Sequence, residues 1–157
     1  WNLDIRYQAR NFWLRILHHK LSCRRVLHKL LPHDYPSPLC PICSLSIEDE
    51  DHFIYRYPRK WLIWKEVLQD LLLIPISYQD VENAVYKLHF PTNPPRVSSS
   101  IIFTSILEHI WKSHWQFIFN NVPFVPQHII NRIHSYLIER TLGKELPHSP
   151  PSLHLST

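Results

Sequence analysis

One glycine, Gly143, occurs in 157 residues. Phosphate-cradling loops of the GxGxxG or GxxxxGKS type are therefore excluded, and so is a nucleophile elbow. Methionine is absent and the sequence begins at Trp1. A bulky second residue normally leaves the initiator Met in place, so the expectation is a fragment of a longer reading frame. No membrane span is legible. The longest apolar stretch, 101–119, carries Glu108, His109, Lys112 and His114, which a bilayer centre penalises. No secretory leader is recognisable either. Cysteines are few and odd in number: Cys23, Cys40 and Cys43. That argues against a disulfide framework and for reduced thiols inside the cell, in nucleus or cytoplasm.

What is present suits a folded, all-α chain. Hydrophobic residues make up 45% and charged residues 19%, a globular balance. Six Trp, seven Tyr and seven Phe supply core bulk. Trp13, Ile16, Leu17 and Leu21 share one helical stripe. Ser22 is a candidate N-cap for a second helix bearing Val26, Leu27, Leu30 and Leu31. Three prolines, Pro32, Pro36 and Pro38, make 32–38 an extended joint. Pro58 suits the first turn of a helix with Trp61, Trp64, Val67, Leu68, Leu71 and Leu72 on its apolar face. Ser77 and Asp80 resemble a capping box for a short helix. A long helix over about 101–120 follows Ser98–Ser100, and Ile129, Ile130, Ile133 and Leu137 mark the last one. Gly143 falls where a helix C′ glycine belongs. The expected organisation is lead-in helices, a knuckle and following helices over 1–90. A Pro-rich linker at 91–98, a helical hairpin at 99–143 and a disordered tail at 144–157 complete it.

Charge is uneven. Residues 1–31 carry seven cations against the single Asp4, a net +6 within an overall +4. Such a segment suits a polyanion, or is a solvated helix face. Arg24 and Arg25 would sit in a helix's first turn, where the dipole disfavours cations. A bound anion there would relieve that conflict.

The chemistry concentrates at 40–57. Cys40-x2-Cys43 puts two thiols on one tight turn. His52 follows after eight residues, and a fourth ligand after four more would close a tetrahedral metal site. Tyr57 occupies that fourth position. Glu48-Asp49-Glu50-Asp51 reads as an exposed charged loop. The cysteines also admit two plainer readings, small core residues or a redox pair. His18, His19, His109 and His114 lack ligand spacing and read as surface or boundary residues. The tryptophans fall at helical spacing, as core residues do.

The run Cys40-Pro-Ile-Cys43, the acidic residues, His52-Phe-Ile54, Tyr57-Pro58 and Trp64 resembles the reverse-transcriptase zinc-binding domain at the C-terminal end of non-LTR retrotransposon polyproteins. Phe12–His18, Arg25–His28, Ile110–Lys112 and Phe119 extend the resemblance, which covers about 12–120 and is specific over 40–64. The family has Cys where this chain has Tyr57, so implied zinc ligation reaches Cys40, Cys43 and His52 only. A phenol is a poor zinc ligand at neutral pH. His33, Asp51 or water could substitute, and weakened zinc binding is expected. The counter-reading is an empty site whose turn is held by Trp61 and Trp64.

The resemblance implies a non-catalytic accessory module that helps hold RNA or target DNA. Candidate phosphate contacts are Arg15, Lys20, Arg24, Arg25 and Lys29, with Arg56, Arg59 and Lys60 beside the knuckle. The alternative is a zinc-free helical remnant that is structural or binds protein. No arrangement of nucleophile, base and orienting group supports an enzyme, and no small-molecule substrate is expected. The oligomeric state is left open.

Overall fold

Among the described residues, the helical periodicity of the sequence becomes six α-helices. They are α1 (Tyr7–Leu17), α2 (Arg24–Leu30), α3 (Pro58–Leu72), α4 (Tyr78–Lys87), α5 (Ser99–Asn120) and α6 (Pro126–Glu145), with a π-helical segment at His52–Arg56 before α3. The structure is a computed structural model and describes residues 6–92, 94 and 96–145, without the side chains of 144 and 145. Among these residues there is no strand, only an isolated antiparallel bridge between Leu39 and Ile47. The expected disordered tail lies outside the described residues from 146 onward. Residues 144 and 145 belong to α6.

Helix α5 packs against α1, α3 and α6, and α3 packs against α6 and the π-helical segment. Trp13, Ile16, Phe53, Ile63, Trp64, Phe103, Ile106 and Ile133 meet in one apolar cluster. Buried indole N–H groups need acceptors. Trp13 Nε1 donates to Val85 O at 2.7 Å and Trp64 Nε1 to Ile54 O at 3.0 Å. Residues on both sides of 91–98 share this cluster. That segment is thus a connection within one core, and the 99–143 hairpin is built into it.

Local signals fared unevenly. The capping box forms as expected: Ser77 N and Oγ donate to Asp80 Oδ2, and Asp80 N donates to Ser77 Oγ. Ser22 does not cap α2. Cys23 stands at the cap without a side-chain bond. Arg24 N donates to Glu48 Oε1 at 2.9 Å and Arg25 N to Glu48 O at 3.0 Å. A distant glutamate therefore does the work of a local cap, and it is also the anion that the cationic first turn called for. Gly143 is not a C′ residue, since α6 runs past it and no glycine has positive φ. Leu73, Leu88 and Asn121 take the left-handed positions that end α3, α4 and α5.

Candidate metal centre

A tight turn builds the first half of the site. Ser44 N donates to Cys40 O at 2.8 Å, and Cys40 N donates to Ser46 O at 2.8 Å. Ser44 adopts φ 55° to close the turn, a conformation that glycine takes more easily. The Leu39–Ile47 bridge and a bond from Glu48 N to Pro38 O at 3.0 Å tie its base. The π-helical segment brings the second half. His52 N donates to Asp49 Oδ1 at 2.8 Å, which fixes the start of the segment. Single π turns are frequent at functional sites.

Donor atoms of Cys40, Cys43 and His52 lie within 4.8 Å of one another. Cys43 Sγ stands 3.6 Å from His52 Nε2. Cys40 is fully buried, His52 is buried and Cys43 is half-buried, so the group opens outward at Cys43. Burial pushes the Cys40 thiol up to about 12. At Cys43 burial acts in the same direction. The N–H groups of Leu45 and Ser46, the Cys40 thiol and its own N–H outweigh it and hold Cys43 below the ordinary thiol value. Burial, and then the Lys60 charge, lower the pKa of His52 and keep its imidazole neutral. Two sulfurs and a neutral imidazole form a donor set that thiophilic divalent metals accept. Such a group could hold a metal ion.

The fourth position is filled by packing. The Tyr57 ring stacks on His52, with centroids 5.6 Å apart and planes at 28°. Burial raises its hydroxyl pKa further and outweighs the Arg59 charge, which lowers it, so the phenol stays protonated. Asp51 faces elsewhere: Tyr86 OH donates to its Oδ1 at 2.8 Å, and Arg56 lies 3.5 Å from Oδ2. Neither His33 nor Asp51 joins the donor group among the described residues. Trp61 packs on Tyr78 and Trp64 on Phe103.

Three sequence assignments near the site are corrected. Lys60, a candidate phosphate contact, has no exposed surface. Its Nζ donates to Phe53 O at 2.7 Å and to His114 Nδ1 at 3.1 Å. Glu48 is not in an exposed loop but is 1% exposed, and His114 is 0% exposed rather than a boundary residue. His114 Nε2 lies 3.6 Å from Glu48 Oε2. Burial, then Lys60, press the His114 pKa far down. A neutral imidazole thus stands between a buried ammonium and a buried carboxylate. The periodicity held a signal for two of these residues. Lys60 precedes Trp64 and Val67 by four and seven positions, and His114 follows Ile110 and Leu107 in the same way, so both lie on apolar stripes.

The other candidate cations divide. Arg15, Lys20, Arg25 and Lys29 are exposed, with no ion-pair partner among the described residues. Arg24 is half-buried and lies 5.0 Å over the Tyr35 ring. Arg56 faces Asp51 and Glu82, and Arg59 donates to Phe124 O at 3.4 Å. No helix among the described residues is long and apolar enough to cross a membrane. Comparison with protein families, with curated proteins and with solved structures found no match.

Proposed function

We propose that the protein is a non-catalytic zinc-binding module that holds RNA or DNA on its basic N-terminal surface, as its resemblance to the reverse-transcriptase zinc-binding domain implies. The observation that carries this reading is the convergence of Cys40, Cys43 and His52. Zinc lies about 2.3 Å from thiolate sulfur and about 2.0–2.1 Å from imidazole nitrogen, so a tetrahedral S···N edge spans about 3.6 Å. Cys43 Sγ and His52 Nε2 stand at 3.6 Å. Bound zinc would supply a cross-link between the cysteine turn and the π-helical segment. Cys43 is the readier thiolate, Cys40 must give up its proton, and the neutral His52 offers a lone pair. The exposed Arg15, Lys20, Arg25 and Lys29, with no ion-pair partner among the described residues, support the nucleic-acid half of the reading.

The test is zinc content of the purified chain beside a Cys40→Ser/Cys43→Ser control, with retardation of labelled RNA and DNA at low and high salt. Near one zinc per chain, lost in the control, and salt-sensitive retardation are expected. A second reading, a zinc-free packed remnant, draws on the Tyr57–His52 stack and on a turn already closed by backbone bonds. Zinc no higher than in the control, with no retardation at low salt, would establish that second reading.

A further inference from the structure

An aromatic groove runs between α1, α2 and α5, enclosing about 410 Å³. Trp111, Trp115 and Phe119 follow one another at four-residue steps on α5, so they form one row along the helix. Trp111 packs on Phe12 at 5.5 Å, and Trp115 stacks on Phe119 with centroids 5.4 Å apart and planes at 15°. The stack ends at Phe119, which is 70% exposed. Tyr35 closes the far side of the groove beneath the Arg24 guanidinium. Arg15 borders the groove and, with Phe12 and Trp111, a smaller hollow of about 190 Å³ next to it. Among the described residues, no carboxylate lines either hollow.

A half-buried aromatic row that ends in the exposed Phe119 ring, bordered by the Arg15 and Arg24 guanidinium groups, satisfies two chemistries at once. The rings take flat, apolar surfaces, and the cations take phosphates. A paired duplex offers such a groove no free base face. An unpaired nucleic-acid strand carries both features in alternation, and base–aromatic stacking is tolerant of sequence. We infer that this groove is the seat of a single-stranded nucleic acid, with bases continuing the Trp115–Phe119 stack and phosphates meeting Arg15 and Arg24.

This inference rests on the nucleic-acid reading above and locates its contact surface. The experiment measures binding of fluorescent oligothymidylate, alone and annealed to oligoadenylate, by anisotropy. It uses the full chain, Phe119→Ala, Arg15→Ala and, away from the groove, Arg25→Ala/Lys29→Ala. Phe119 is exposed, so its variant should keep the wild-type circular dichroism and melting temperature, which are checked first. Phe119→Ala should weaken single-strand binding roughly five- to a hundredfold and leave duplex binding unchanged. Arg15→Ala should weaken single-strand binding as well. Single-strand binding that survives Phe119→Ala but falls in Arg25→Ala/Lys29→Ala overturns the groove while the nucleic-acid reading stands. Wild-type protein that binds neither strand nor duplex overturns both. Self-association that Phe119→Ala abolishes, without any nucleic-acid binding, assigns the groove to a second copy instead.

Discussion

Lys60 carries its charge with no exposed surface. Burial lowers its pKa to about 8, against the upward pull of Glu48, Cys40 and Cys43. The ammonium persists at neutral pH because Phe53 O and His114 Nδ1 accept from it and Glu48 lies beyond the imidazole. Breaking a buried charge pair by removing one member costs about 3–5 kcal/mol. Glu48→Ala should lower stability by about that amount in urea denaturation, since it also strips the acceptor from Arg24 N. Glu48→Gln keeps that acceptor and should lose about 1 kcal/mol less, the worth of a cap. A Glu48→Gln protein as stable as the parent would sink the charge-compensation account. The cysteines give a second prediction. Cys40 holds its proton to about 12, so metal entry must release it at any ordinary pH. Apparent zinc affinity should therefore rise at least about tenfold for each pH unit gained around neutrality. Competition with a chelator at two pH values one unit apart measures this. A flat response would mean that Cys40 is not a ligand.

At the scale of elements, glycine scarcity has a cost that can be measured. Three helices end in a left-handed residue, and none of the three is glycine. Leu73 at φ 56° is 84% exposed, so its side chain contributes little burial to offset the unfavourable backbone. Leu73→Gly should stabilise the protein by about 1 kcal/mol, a rise of about 2–4 °C in Tm by scanning calorimetry. A fall in Tm would mean that α3 needs the leucine for packing. The same elements show what a sequence reveals. The stripes of α3, α5 and α6 and the Ser77 capping box were legible because their determinants lie within a few residues of one another. The start of α2 was not, because its acceptor is Glu48, 24 positions away. Nor was the burial of Lys60 and His114: their stripe positions pointed inward, but charge pointed outward. Only the meeting of three segments shows how the charge is balanced. The cysteine turn and His52 were legible from spacing alone, whereas the stacking of Tyr57 on His52 depends on how the π-helical segment turns.

At the scale of the whole molecule, one core fixes the relative positions of the cysteine turn and the basic helices. The cluster runs from Phe12 to Leu137, and Glu48 reaches from behind the knuckle to the first turn of α2. A change at the Cys40–Cys43–His52 group should therefore be felt in α2, where Arg24, Arg25 and Lys29 lie. The cations differ in what they can offer a polyanion. Arg56 is occupied by Asp51 and Glu82, and a guanidinium already paired with carboxylates neutralises little phosphate charge, so it displaces few of the counterions condensed on a nucleic acid. Arg25 and Lys29 are exposed, have no ion-pair partner among the described residues and sit one turn apart on α2. If both meet phosphates, each removes about 0.7 from the slope of log affinity against log salt on a single strand. Arg25→Ala/Lys29→Ala should thus flatten that slope by roughly 1.4, measured by anisotropy between about 50 and 200 mM salt. Arg56→Ala should leave the slope close to the parent's. Parallel lines for all three proteins would place the phosphate-binding surface away from Arg25 and Lys29.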